Sequence, residues 1–176
     1  FLQISTDEVF GSLRENGKFN EITRYDPRSP YSASKAASDH LVSAWHHTYG
    51  IPTLMTNCSN NYGPWQHPEK LIPKIIFNAL NDLPIPIYGN GENIRDWLFV
   101  EDHISAIDLI LHNGENGESY NIGGGNELSN LDLIKQIIRI FYSNKKSIDI
   151  NEYIEFVDDR KGHDFRYSVD STKLKN

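Results

Sequence analysis

Cysteine is nearly absent: Cys58 stands alone among 176 residues, so no internal disulfide can form and the chain suits a reducing compartment, the cytoplasm. Long apolar runs are missing too. No stretch approaches the ~20 residues of a membrane-spanning helix, and Phe1-Leu2-Gln3-Ile4 has neither the basic flank nor the length of a secretion signal. Cations are in deficit, with 17 Lys and Arg against 24 Asp and Glu. The net charge of −7 comes without a basic stripe, which argues against a nucleic-acid partner. Glycine is present, but no Gly-x-Gly-x-x-Gly or Gly-x-x-Gly-x-x-Gly follows a strand and opens a helix. Gly89-Asn90-Gly91 and Gly123-Gly124-Gly125 lack that setting, so no pyrophosphate-binding turn is encoded in these residues. His40, His46 and His47 fall on one helical stretch without a Cys or carboxylate pattern beside them, and packing accounts for them better than a metal does. Repeats and low-complexity tracts are likewise missing.

What remains is globular. A hydrophobic share of 38% with 11% aromatics exceeds what disordered chains carry, and the length suits one domain with a real core. Phe1 to Ser5 reads as a buried strand. Tyr31 to Tyr49 reads as a helix opened after Pro30 and closed by Gly50. Strands follow at Leu54 to Cys58, Ile85 to Tyr88, Trp97 to Val100, Ser119 to Ile122 and Tyr153 to Val157. Helices are expected over Leu71 to Leu80, Asp102 to His112 and from the cap Ser129 through about Tyr142, where Asp132 replaces the usual Glu of a capping box. Ser59 to Pro68, rich in Asn, Gly and Pro, is a binding-loop candidate, and Lys145-Lys146 a solvated helix end. Strands alternating with helices make an α/β class.

Two groups of residues carry chemistry. Thr6, Asp7 and Glu8 put a hydroxyl and two carboxyls at the carboxyl end of the first strand, and Tyr31 and Lys35 stand i, i+4 on one helix face. A tyrosine that takes a proton from an alcohol near neutrality needs its phenolate stabilised by about three pKa units, about 4 kcal/mol, which a neighbouring ammonium could help supply. Two adjacent carboxyls can act as acid and base if their environments split them. Taken alone, Thr6 and Asp7 are also ordinary capping residues, and Asn60 and Asn61 ordinary turn residues. Trp45, Trp65 and Trp97 are most simply packing residues, with Trp65 close enough to the loop to border a ligand.

The flanking residues decide between these alternatives. Ile4-Ser5-Thr6-Asp7-Glu8-Val9-Phe10-Gly11, Ser29-Pro30-Tyr31-Ser32-Ala33-Ser34-Lys35 and Cys58-Ser59-Asn60-Asn61-Tyr62-Gly63-Pro64 occur in order. Pro68-Glu69-Lys70-Leu71-Ile72-Pro73, Arg95-Asp96-Trp97-Leu98, Tyr120-Asn121-Ile122-Gly123-Gly124 and Asp159-Arg160-Lys161-Gly162-His163-Asp164 follow. Together they resemble the dTDP-glucose 4,6-dehydratases of the extended short-chain dehydrogenase/reductase superfamily. Thr-Asp-Glu is the sharpest match, since GDP-mannose dehydratases resemble Thr-Ser-Glu at that place.

The resemblance implies the C-terminal part of a Rossmann-type parallel sheet, residues 1–63 and 93–124, with a smaller nucleotide-sugar-binding domain from 64–92 and 125–176. It implies NAD as cofactor, dTDP-glucose as substrate and a homodimer through two helices per subunit, one of them the Tyr31–Lys35 helix. Tyr31, with Thr6 and Lys35, would serve oxidation at C4 of the sugar; Glu8 would remove the C5 proton and Asp7 protonate the departing 6-hydroxyl. Tyr31, Lys35 and Asn60 would touch the cofactor. Thr6, Asn61, Lys70, Leu71, Pro86, Tyr88, Arg95, Asn130, Arg160 and His163 would line the nucleotide-sugar, with Arg95 suited to bidentate phosphate contact. Lys161 stands where the family carries Pro, which removes a backbone restraint from that loop. Because the pyrophosphate turn is missing and the chain opens on a strand without Met, it is expected to be an inactive piece of a protein about twice as long. A UDP-glucose 4,6-dehydratase, a 4-epimerase and a non-catalytic nucleotide-sugar-binding fragment are the alternatives.

Overall fold

The computed structural model describes residues 1–144 and 149–176, so Lys145 and Lys146 lie outside the described residues. In chain order the elements are β1 (Leu2–Thr6), α1 (Pro30–Tyr49), β2 (Leu54–Cys58), β3 (Asn60–Tyr62), α2 (Leu71–Leu80), β4 (Ile85–Tyr88) and β5 (Ile94–Phe99). After these come α3 (Val100–Asn113), β6 (Ser119–Ile122), β7 (Glu127–Ser129), α4 (Asn130–Phe141), β8 (Ile154–Val157) and the short α5 (Thr172–Lys175). The chain is α/β, as its alternating pattern predicts.

Three parallel strands, in the order β1-β2-β6, form the layer at whose edge Thr6, Asp7 and Glu8 stand. Thr6 lies opposite Cys58 and Cys58 opposite Ile122, so all three strands end along one carboxyl edge. In parallel sheets that edge is where ligands bind. The chain leaves β2 at Ser59 and re-pairs at once: β3 runs parallel to β5, and β5 takes β7 antiparallel. The stretch expected as a loop from Ser59 to Pro68 therefore begins as a three-residue strand, too short for any periodicity to reveal. Likewise β5 starts at Ile94, three residues before the expected Trp97, because its antiparallel pairing with β7 recruits Arg95 and Asp96.

Local chemistry explains the ends of α1. Ser29 accepts the N–H of Ser32 at 3.0 Å while the Ser32 hydroxyl accepts the N–H of Ser29 at 3.1 Å, and Pro30 fills the first turn. Gly50 closes the helix at φ 66°, its N–H reaching the carbonyl of His46 at 2.8 Å. At α4, Ser129 caps the N–H of Asp132 at 3.0 Å, but the shorter Asp carboxylate instead receives the Ser129 hydroxyl at 2.7 Å.

Three apolar clusters hold these layers together. Leu54, Leu98, Ile110, Tyr120 and Ile122 sit between the parallel sheet and α3. Ile75, Ile85, Ile87, Ile134, Ile138 and Tyr142 join α2 and α4 to β4, which pairs with β8. The third cluster, Val9, Phe10, Phe19, Ala36, Tyr167 and Val169, draws the C-terminal segment against the turn that follows β1. Ile138 is fully enclosed, whereas Ile140 two residues on is 74% exposed. Ile138→Ala should lower the unfolding free energy by about 2–5 kcal/mol in urea titration, and Ile140→Ala should change it by less than about 0.5 kcal/mol.

Candidate active site

The site starts from the turn after β1. Thr6 keeps extended geometry and caps a one-turn 3₁₀ helix, Asp7–Phe10, by accepting the N–H of Glu8 at 3.3 Å. Val9 and Phe10 are buried on the underside, which pins the turn down. Gly11 ends it at φ 89°, where an added Cβ would stand 2.8 Å from the carbonyl of Asp26, so only glycine fits. The carbonyl of Thr6 is itself held by the side-chain amide of Asn57 on β2, at 3.2 Å.

This geometry drives Asp7 inward. Its side chain belongs to a residue only 2% exposed; Oδ1 accepts a 3.3 Å bond from the Thr6 hydroxyl and Oδ2 is buried without a partner. Burial, with the charge of Glu8 behind it, pushes the Asp7 carboxyl up to about 8, against the pull of Arg95 and the Thr6 hydroxyl. Near neutrality Asp7 is therefore a proton donor. Glu8 is also raised by burial, but Arg95, Lys70 and Arg160 all pull it back toward the charged form. Two neighbours in sequence thus receive different environments: Asp7 is fully closed off with one oxygen unpartnered, whereas Glu8 is less buried and feels Arg95, Lys70 and Arg160 against Asp164.

Tyr31 stands at the rim of this pair, 54% exposed. Its phenol is raised by partial burial and then by Glu8, Cys58 and Asp7, while the Thr6 hydroxyl favours the phenolate. Lys35 does not meet the phenol as its spacing suggests. Its ammonium instead donates to the carbonyl of Ile4 at 2.6 Å, one residue back along β1 from Ser5. The helical i, i+4 relation puts the two on one face, but the strand carbonyl is the nearer acceptor. Cys58, opposite Thr6, is kept a neutral thiol, pushed up to about 12 by burial and by Asp7.

Beyond β2, Asn61 donates its amide N–H to the carbonyl of Ser59 at 3.0 Å, and Gln66 donates to the carbonyl of Asn61 at 2.8 Å. The amide oxygens of Asn60, Asn61, Gln66 and Asn130 are all buried without partners. An orphaned acceptor costs about 1–3 kcal/mol, so each of these oxygens is able to accept from a ligand's donor.

The cationic side is assembled from distant segments. Arg95 is buried, stacks 4.4 Å over the ring of Tyr167, and donates to the carbonyls of Ile94, Phe165 and Asp164 at 2.7, 3.3 and 3.0 Å. Much of the expected bidentate fork is thereby engaged with its own backbone. Arg160 lies 5.2 Å over the ring of Tyr88 and donates to Nε2 of His163 at 2.9 Å, while Nδ1 of His163 donates to Asp159 at 2.7 Å. Partial burial and the nearby Arg160 and Arg95 lower the imidazole, with Asp159 opposing, so the ring stays neutral with its proton on Nδ1. Tyr88, Arg160 and His163 are thus brought together. Lys70 occupies the position before α2 without a side-chain cap and acts on Glu8, Asn130 opens α4, Leu71 packs on the α2/α4 core, and Pro86 lies within β4.

Two participants carried no signal of their own in the sequence. Tyr167 supports Arg95 and gives its hydroxyl to Asp164 at 2.6 Å, and both residues lie far from Arg95 in the chain. Asp39, fully buried on α1, is the other; helical spacing from Tyr31 and Lys35 could have found it.

A family model described as GDP-mannose 4,6 dehydratase matches residues 1–176. A dTDP-glucose 4,6-dehydratase of Xanthomonas campestris pv. campestris is 54% identical over 179 residues, taking in 100% of this chain and 51% of that protein. Among solved structures, dTDP-glucose 4,6-dehydratase from Bacillus anthracis, in complex with NAD, superposes at a TM-score of 0.92 with 51% identity, over 99% of this chain and 54% of that one. The Streptomyces venezuelae dTDP-glucose 4,6-dehydratase, also with NAD, gives 0.91 and 45% over 99% and 52%. The chain spans about half the length of the curated relatives it matches.

The buried acid has a thermodynamic signature. Asp7 has an ordinary value of 3.8 when unfolded and about 8 when folded, so between those limits the folded state holds a proton the unfolded state has released. This group's contribution to stability is whole below about pH 4 and is lost as pH rises to about 8, by at most about 1.4 kcal/mol per pH unit. Denaturation series across that range should show this slope removed in Asp7→Asn, leaving the variant the more stable protein near neutrality. Parallel profiles for the two proteins would contradict the assignment.

Proposed function

The chain belongs to the GDP-mannose 4,6 dehydratase family, and from that premise we propose that it carries the acid–base centre of a dTDP-glucose 4,6-dehydratase. The observation that carries the proposal is the unlike pair of carboxyls: Asp7, 2% exposed with Oδ2 unpartnered and its pKa pushed up by burial, beside a less buried Glu8 on which Arg95, Lys70 and Arg160 act. Elimination of water from a sugar needs a base for the C5 proton and an acid for the departing 6-hydroxyl at the same time. Glu8 is the base and Asp7 the acid. A 4-epimerase has no use for such a pair.

Tyr31 acts as its phenolate, the form the Thr6 hydroxyl favours, and becomes the neutral phenol as it takes the proton of the 4-hydroxyl. The free oxygen of Asn60 fits a carboxamide donor such as that of nicotinamide, and Tyr31 and Lys35 would border the same group. NAD, when bound, supplies a hydride-accepting ring and its positive charge. Arg160, His163 and Tyr88, with Lys70 and Arg95, suit a diphosphate; Asn61, Leu71, Pro86 and Asn130 would complete the wall around the nucleotide-sugar.

The same proposal divides labour between residues 1–63 with 93–124, around the parallel sheet, and residues 64–92 with 125–176 on the substrate side. Pairing of β7 with β5 and the packing of Tyr167 and Val169 against Val9 tie the two parts together. A homodimer is supported by apolar side chains left exposed along α1, Leu41, Trp45 and Tyr49, and on α3, Ile104 and Leu111. The single Cys58 supports a cytoplasmic setting; among the described residues no helix is long and apolar enough to cross a membrane.

Isotope tracing tests the reaction in the protein that carries this chain. Deuterium at C4 of dTDP-glucose should be recovered at C6 of the same product molecule, and solvent deuterium at C5, where Glu8 exchanges its proton with water. Label returned to C4, or scrambled between molecules in a crossover with unlabelled substrate, would overturn the proposal.

A further inference from the structure

Asp39 is a carboxylate at the centre of a closed interface. It is 1% exposed, and of the twenty residues of α1 only Ser32, Ala36 and Asp39 are fully buried. Its Oδ2 accepts the hydroxyl of Ser5 at 2.6 Å and that of Tyr25 at 3.1 Å, and its Oδ1 the amide of Gln3 at 3.4 Å. Among the described residues no cation pairs with it. A buried carboxylate served only by neutral donors is a poor source of stability, and an apolar residue would pack the same space at lower cost. What directional bonds add is register.

The partners show which register is at stake. Ser5 immediately precedes Thr6 on β1. Tyr25 lies in the segment leading to α1, and its ring meets Phe10, the underside of the Asp7–Phe10 turn, edge-on at 5.3 Å. One turn back along the helix from Asp39, Lys35 binds the carbonyl of Ile4; two turns back, Tyr31 faces Thr6. Strand and helix are therefore laced in sequence: Gln3 and Ser5 to Asp39, Ile4 to Lys35, Thr6 to Tyr31.

We propose that Asp39 is a positioning residue that, through Ser5 and Tyr25, fixes the axial position of α1 on β1 and so sets Tyr31 against Thr6, Asp7 and Glu8. Its importance for catalysis rests on the function proposed above for Tyr31; the geometric claim does not. Moving Asp39 out of register would carry the phenol away from the two carboxyls without touching any group that meets a substrate.

The test reads the phenol directly. With ¹³Cζ-labelled tyrosine and Tyr31→Phe to assign the signal, the titration midpoint of Tyr31 is followed in the unaltered chain and in Asp39→Asn, Ser5→Ala and Tyr25→Phe. Asp39→Asn should lower that midpoint by at least about half a pH unit as the neighbouring negative charges recede, and the two single-donor variants should lower it by less. Variants that lose thermal stability while the midpoint stays put would show a merely structural role and overturn the proposal. If Asp39→Asn does not fold, Ser5→Ala and Tyr25→Phe decide by the same criterion. Because no turnover is measured, failure here leaves the dehydratase proposal standing, and failure of the isotope tracing leaves this one.

Discussion

The withdrawal of one carboxyl from water organises this structure. Asp7 sits where β1 ends, on a single 3₁₀ turn whose apolar half, Val9 and Phe10, is sunk in a cluster that reaches to Tyr167 and Val169. An ionised carboxylate with an unpaired oxygen is too costly to keep there, so the group holds its proton. Everything that keeps water out of the turn, from the Asn57 amide on the Thr6 carbonyl to the glycine that lets the chain pass Asp26, maintains that state. Such a group opposes folding near neutrality, which is the ordinary relation between a working site and the stability of its fold.

Glu8, one residue on, is raised by burial as well, but three cations act against that rise. The charges of Arg95, Lys70 and Arg160, brought from three separate segments, oppose the effects of burial and of Asp164. A chain of net charge −7 thus places three cations where they act on one carboxyl, and under the proposed function the same cations would serve a diphosphate. Arg95 is itself braced by Tyr167 and by backbone carbonyls, and Arg160 by His163 and Tyr88. Charge and support arrive together.

Much of this was legible in the residues. The helices at Tyr31 and Leu71 and the strands at Leu54, Ile85 and Ser119 carry their own caps, breakers and periodicity, and the structure has them within a residue or so of the expected limits. The motifs around Thr6, Asn60 and Arg160 pointed to the family, because residue type and order survive without coordinates. Pairings between remote segments did not. The strand at Asn60 exists only because β5 lies beside it, β7 only because Arg95 and Asp96 need an antiparallel partner, and both are too short to show a pattern. The position of the Lys35 ammonium depended on which acceptor was nearest, and helical spacing names a face, not a partner. Asp39 and Tyr167 escaped for the same reason: their partners lie far away in the chain or across an interface.

The central claim is that Asp7 is a neutral acid in the folded protein near neutral pH. Infrared spectroscopy of protein labelled with ¹³C at aspartate carboxyls observes this state without any substrate. The account predicts a protonated-carboxyl band near neutrality that is missing in Asp7→Asn and fades in the unaltered protein as pH is raised through about 8. Identical spectra for the two proteins in that region near neutrality would mean that Asp7 is ionised, and would contradict the assignment of acid and base on which the function rests.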